Sequence, residues 1–204
     1  PGDTLEIKGK IGYEFDAAER HGELIVSGPL SDTLGLRVAG LYSNSRGSLY
    51  NTATALPGRG GANPKYPRFG GGESYLVRAT VLWKPSDNFS ARLKANFAKD
   101  DLHQGGGTQL ASCPDGLATP AGMPAGVQFQ HPTETCQFDN TLNIVDLDPA
   151  LWPGIRNNGV PFLDLSQKFG TLELNYDLNP ELTLTSTTGF YKSHVDTMIN
   201  GISA

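Results

Sequence analysis

The run Leu5-Glu6-Ile7-Lys8-Gly9-Lys10-Ile11-Gly12-Tyr13-Glu14-Phe15 alternates without a break. Leu5, Ile7, Gly9, Ile11, Tyr13 and Phe15 fall on one side of an extended chain, and Glu6, Lys8, Lys10, Gly12 and Glu14 on the other. Successive side chains of a β-strand point to opposite faces, so this period commits the segment to a strand with one apolar and one polar face. Eleven residues is long beside the roughly 5–6 of an ordinary globular strand. It suits a tilted strand that crosses a bilayer, which needs about 9–11 residues.

The pattern returns over residues 21–28, 34–44, 74–84, 89–99, 170–177 and 182–191, giving seven expected strands. Their connections are unequal. Pro29-Leu30-Ser31-Asp32-Thr33, Pro85-Ser86-Asp87-Asn88 and Leu178-Asn179-Pro180-Glu181 are tight turns of the residues that favour turns. The other three connections are 16–20 and two long loops, about 45–73 and about 100–167. Alternate connections of an up-and-down meander share one end of the sheet, so the short turns gather at one end and the long loops at the other. Short turns on one side and long loops on the other mark the β-barrels of outer membranes. The expected fold is therefore all-β: an antiparallel up-and-down meander, about seven strands of a larger transmembrane β-barrel. A soluble sandwich also alternates, but it accounts for neither the sided loops nor the placement of the aromatics.

Trp83 and Phe89 flank one tight turn and Tyr176 lies beside another. Tyr13, Phe15, Tyr42, Tyr75, Phe97 and Phe190 are placed near the opposite ends of their strands. Tyr13, Tyr42, Tyr75, Trp83, Phe89, Phe97 and Tyr176 are thus the expected membrane girdles, which should bound an apolar band about 25 Å tall. The polar face carries Lys8, Lys10, Arg37, Arg78, Arg92 and Lys94 with Glu6, Glu14, Glu23, Glu173 and Asp177. That much charge belongs in a wide barrel, where it meets water or an internal domain, rather than in a narrow packed one.

Composition narrows the partners. A net charge of -5 offers no basic stripe to phosphodiesters, which argues against nucleic acid. No apolar run approaches the length of a transmembrane helix. No leader opens the chain; Pro1-Gly2-Asp3-Thr4 runs directly into a strand, as expected of a mature start or of a fragment. Cys113 and Cys136, both in a Gly/Pro-rich stretch and without CxxC spacing, read as a disulfide closing a surface loop in an oxidising compartment.

His21, His103, His131 and His194 are scattered, and the Gly70–Gly72 and Gly105–Gly107 runs precede no helix. Neither enzyme chemistry nor a cofactor is expected. His103 beside Asp100 and Asp101 reads as a solvated loop start rather than a metal site. The long loops instead mix aromatics with arginine: Arg59, Tyr66, Arg68 and Phe69 in the first, Phe129, Trp152 and Arg156 in the second. At a barrel mouth such residues can stack on and neutralise a small ligand, such as an anionic metal chelate or a saccharide. A short helical turn is expected within 139–152.

Ser27-Gly28-Pro29-Leu30-Ser31-Asp32-Thr33-Leu34 with Leu36-Arg37-Val38 and Ser45-Arg46-Gly47 resembles the early barrel of TonB-dependent outer-membrane receptors. Leu82-Trp83-Lys84-Pro85-Ser86-Asp87-Asn88-Phe89 is similar to the next hairpin of that family, and Tyr176-Asp177-Leu178 with Leu182-Thr183-Leu184-Thr185-Ser186-Thr187-Thr188-Gly189 to the one after. The resemblance implies a 22-stranded barrel filled by an N-terminal plug, and energised uptake of a scarce nutrient such as a ferric siderophore. It implies outer-membrane lipid, the plug, the remaining strands and the TonB system as partners. The chain lacks the plug, the TonB box and a terminal aromatic strand, so residues 1–204 are expected to be a partial barrel from a larger receptor. Rival expectations are a passive porin-like barrel and a soluble secreted carbohydrate-binding sandwich.

Overall fold

The computed structural model describes residues 4–103, 109, 112, 113, 116, 131 and 133–200. Seven long strands form one antiparallel sheet: β1 (Glu6–Glu14), β2 (Glu19–Ser31), β3 (Leu34–Ser45), β7 (Gly72–Ser86), β8 (Phe89–His103), β11 (Phe162–Asn179) and β12 (Leu182–Met198). Each pairs only with its sequence neighbours in that set, so the sheet is an up-and-down meander with β1 and β12 as open edges. The three tight turns lie together at one end and the three longer connections at the other, as the turn chemistry requires.

Register carries the apolar residues of successive strands onto one continuous face. Val26 pairs with Val38, Val38 with Ala79, Ala79 with Ala95, Ala95 with Gly170, and Gly170 with Phe190. The opposite face runs from Lys8 and Lys10 through Arg37, Arg78 and Lys94. Because the side-chain period is two, a slip of one residue at any junction would exchange these faces.

The strands are longer than alternation alone indicates. β11 begins at Phe162 rather than Gly170, and β12 continues to Met198 rather than Tyr191. The long connections shrink accordingly to 46–71 and 104–161. Phe190 also moves: it stands opposite Gly170 at mid-height, not near the long-loop end.

The two long connections fold together into a cap. β4 (Leu49–Asn51) pairs antiparallel with β6 (Arg68–Phe69) and in parallel with β9 (Thr141–Leu142), while β5 (Gly61–Ala62) pairs with β10 (Asp146–Leu147). Residues 139–148 are thus two short strands and their link, not a helix. A single turn follows, where the amides of Leu151 and Trp152 donate to the Asp148 carbonyl and the Ala150 amide to Asp148 Oδ1.

Burial is concentrated in this cap. Phe69, Leu142, Val145, Val160 and Pro161 are buried there, whereas Leu24, Tyr42, Val77, Leu93, Leu172 and Phe190 of the sheet are more than a third exposed. Gly47 seats the cap on the sheet. Its φ is +93°, and a Cβ there would stand 1.9 Å from the Phe69 carbonyl oxygen, so only glycine fits.

Candidate functional site

Two surfaces carry the residues singled out above: the apolar face of the sheet, and the cap. On the apolar face the aromatics form two rows. Trp83 meets Phe89 edge-on at 5.9 Å, and Phe89 lies 6.5 Å from Tyr176. Near the long-loop end, Tyr75 and Phe97 are 5.8 Å apart, and Tyr13 and Phe15 meet edge-on at 5.0 Å.

These rows do not follow the hydrogen-bond ladder; both slip along it in the same sense. Tyr13 stands two residues beyond Ile11, which lies in line with Gly22 and Tyr42; Tyr42 pairs with Tyr75. Phe97 pairs with Val77, two residues nearer the short turns than Tyr75. The slip is four residues over four strand junctions. In the other row Trp83 pairs with Ala91, two residues from Phe89, and Phe89 pairs with Tyr176, a slip of two residues over two junctions. At about 3.3 Å per residue and about 4.8 Å between strands, one residue per strand means that the strands lean about 35° from the normal to both rows. The rows are eight residues apart along β7 and β8, which at that lean separates them by about 22 Å.

Above the upper row the same face changes character. Lys168 pairs with Lys192, Ser166 with His194, and Asp164 with both Asp101 and Asp196. Lys99 contacts Asp164 at 3.4 Å, and Arg156 forms a forked ion pair with Asp196, which raises the Arg156 pKa above its ordinary value. On β11 the apolar Leu163 and Leu165 have moved to the opposite face. Between the rows the face is apolar on β7, β8 and β11, while β12 presents Thr188 and Ser186 there; above the upper row it is charged on β8, β11 and β12.

The polar face holds a basin of about 780 Å³ lined by Arg37, Arg78, Lys94, Asn96, Gln167, Phe169 and Tyr191. Arg37 and Lys94 both pair with Thr80 in register. Arg78 donates to Asn96 Oδ1 at 2.6 Å, and Arg92 is held by both Glu173 oxygens at 2.6 and 2.7 Å.

In the cap, Arg68 ties two connections together. Its guanidinium lies 4.4 Å from the Tyr50 ring centre and donates to Tyr50 Oη at 2.7 Å, to the Gly47 carbonyl at 3.2 Å and to the Asp16 carbonyl. Phe69 is buried beside it. Tyr66 stacks on His103 at 3.9 Å, with Lys65 Nζ 5.2 Å from its ring centre. Arg156 lies 5.1 Å over Phe162 as well as pairing with Asp196. Trp152 is 44% exposed and packs over Gly60, next to the exposed Arg59. Of the seven loop residues, Arg59 and Trp152 are therefore brought together on an outer surface, Tyr66, Arg68, Phe69 and Arg156 tie loops to one another or to the sheet, and Phe129 lies outside the described residues.

Cys113 and Cys136 are joined, with Cα atoms 5.4 Å apart. A polar network lies near them. Buried His131 meets Thr133 Oγ1 at 2.6 Å and the Thr54 carbonyl at 3.0 Å, and Thr133 and Thr52 both donate to Asn143 Oδ1. Asn51 fastens the two long connections: its Oδ1 accepts from the Ala53 and Ile144 amides and its Nδ2 donates to the Ile144 carbonyl. Asp139 accepts from Thr141 and Thr135, which holds its carboxyl below the ordinary range. Among the described residues no three His, Cys, Asp or Glu side chains converge as a metal-ligand set, and no helix is long and apolar enough to cross a membrane.

Sequence reasoning passed over Lys168, Lys192 and the Ala79, Ala95 and Gly170 floor between Phe97 and Phe190. The available signal was the alternation of Asp164, Ser166 and Lys168 with Leu163, Leu165 and Gln167, in which the polar set has changed sides. No protein family, characterised protein or solved structure matches the chain.

Proposed function

We propose that this chain is a section of barrel wall and mouth from a TonB-dependent outer-membrane receptor, a transporter for energised uptake of a scarce nutrient such as a ferric siderophore. The observation that carries the membrane part is the pair of parallel aromatic rows. Their lean of about 35° is that of a transmembrane barrel strand, and the apolar band they bound ends in charge on the same face. A sandwich has no reason to stop its apolar face at the same height on three strands. The receptor part rests on the three hairpin motifs that resemble the family.

Both sheet edges are open, and unpaired backbone in hydrocarbon costs several kcal/mol per group. The working unit therefore includes further strands to pair with β1 and β12, and a plug or water against the charged face. In this reading the cap faces outward and captures ligand; the TonB system then acts through the plug to release it inward. The wall supplies no chemistry of its own.

The test is the intact mass of the native protein extracted from cell envelopes in detergent, with ligand uptake measured with and without the energising inner-membrane system. A mass several times 21.8 kDa, gel mobility that changes on boiling, and uptake that stops without that system are expected. Uptake unaffected by its loss makes the protein a passive barrel. A species of 21.8 kDa soluble without detergent makes it a secreted sandwich.

A further inference from the structure

The basin on the polar face mixes three kinds of side chain. Arg37, Thr80 and Lys94 follow one another in register across β3, β7 and β8. Two residues along, Arg78, Asn96, Phe169 and Tyr191 follow one another across β7, β8, β11 and β12. Gln167 stands on the same face of β11, two residues from Phe169. Together they line a volume of about 780 Å³. From β3 to β12 the basin crosses four strand junctions, which at about 4.8 Å each makes it about 19 Å long.

The cations of the basin are not neutralised from within. The carboxylates whose fields reach Arg37 and Lys94 are Glu6 and Glu173. Each already holds another cation: Glu6 meets Lys8 at 2.6 Å, and Glu173 meets Arg92 at 2.6 Å. Among the described residues Arg37 and Lys94 form no ion pair, and Arg78 spends only its Nε–H, on Asn96 Oδ1. That bond leaves the Asn96 Nδ2 donors over, and among the described residues the Gln167 amide has no partner. Phe169 and Tyr191 stand directly opposite each other, 42% and 60% exposed, on a face that is otherwise largely polar.

We propose that the basin binds an acidic oligosaccharide: its carboxylates held by Arg37, Arg78 and Lys94, its hydroxyls by Asn96 and Gln167, and a sugar ring laid against Phe169 and Tyr191. The inference rests on the receptor reading above, in which this face looks into the lumen, and names the class of nutrient that passes the wall. A guanidinium meets a carboxylate through paired N–H bonds. An amide side chain offers both the donor and the acceptor that a sugar hydroxyl needs. The negative face of an aromatic ring receives the C–H groups of a sugar. The length of the basin fits several linked rings rather than one compact anion. A run of acidic side chains satisfies the cations but leaves the rings and amides idle, and a neutral sugar does the reverse.

The experiment uses the full-length protein in detergent and measures, by calorimetry, its binding of trigalacturonate, of the neutral methyl ester of that trimer, and of triglutamate. Boiling-dependent gel mobility checks that each variant is folded. The wild type is expected to bind trigalacturonate most tightly. R37Q/K94Q should lower that affinity on the order of tenfold and leave the ester unchanged. Y191A should weaken both sugars about fivefold and leave triglutamate unchanged. Equal binding of trigalacturonate and its ester, binding of neither, or an R37Q/K94Q variant that binds as the wild type does overturns the inference; energised uptake of another nutrient then keeps the receptor reading. Triglutamate bound as tightly as trigalacturonate, with no loss in Y191A, assigns the basin to an acidic polypeptide instead. A 21.8 kDa species soluble without detergent removes the receptor reading, and this inference with it.

Discussion

Arg68 illustrates how the cap uses its polar side chains. Its guanidinium donates to Tyr50 and Gly47 of its own connection and to Asp16 of the connection between β1 and β2, and stacks on Tyr50 as well. Asn51 does the same for the two long connections. The Cys113–Cys136 bridge adds a covalent tie to these polar ones. With a sequence separation of 23, loop-closure entropy puts its contribution at about 3 kcal/mol. C113S/C136S should therefore lower hydrogen-exchange protection in the cap strands while leaving β7 and β8 unchanged; equal loss in both would mean that cap and sheet unfold as one unit.

Asp139 supplies a second test at this scale. Its pKa is lowered in the folded chain, so its contribution is complete above the unfolded value of about 3.9 and disappears as pH falls through the lower folded value. Protection factors of the Thr141 and Leu142 amides should hold from neutral pH down to about pH 4 and fall below it. In D139N that acid-dependent step should be absent.

At the scale of elements, a strand declares itself only while its two faces keep their characters. Leu5 to Phe15 and Tyr75 to Trp83 do so, and their strands were legible from alternation. The upper halves of β11 and β12 were not, because the polar set crosses to the other face where Lys168, Asp164, Lys192 and Asp196 begin, and a reader following apolar residues loses the thread. The cap was illegible for a different reason. The pairing of Tyr50 with Thr141 and of Gly61 with Leu147 joins residues far apart in sequence through strands of two or three residues, too short to carry any period. Of the loop residues, type alone showed that arginine and aromatics gather there. It did not show that Arg68 and Phe69 would be spent on cohesion.

Two substitutions test the elements. V81R places a charge in the middle of the apolar band and should destabilise the full-length protein in vesicles by about 2–4 kcal/mol. T187R, on the polar face opposite Glu173, should stay within about 0.5 kcal/mol. Urea titration of vesicle-bound protein measures both, and equal costs would erase the distinction between the faces. At the junction of cap and sheet, G47A forces a Cβ into the Phe69 carbonyl. It should raise proteolysis within 46–71 without altering the strands.

As a whole molecule the chain exposes 12660 Å², where a compact monomer of 21.8 kDa exposes about 9,300 Å². The partly exposed faces of the seven-stranded sheet, where Leu24, Val77 and Leu93 are more than a third exposed, contribute to that excess. Apolar surface left bare marks an interaction surface; under the proposed function Val77, Val81 and Leu93 would meet hydrocarbon, and Arg37, Arg78 and Lys94 water or protein. In the proposed barrel the sheet would be continued at both edges and wetted on one side.

Under the proposed function, β7 crosses a bilayer with one face in lipid. This crossing is tested most directly by placing single spin labels at each of residues 75–83 in the full-length protein reconstituted into vesicles, and measuring collision with oxygen and with a water-soluble nickel chelate. A two-residue period is expected. Positions 77, 79 and 81 should be rich in oxygen and closed to nickel, and positions 78 and 80 the reverse. If 77, 79 and 81 are instead immobile and closed to both reagents, that face is packed against protein, and the wall is half of a sandwich.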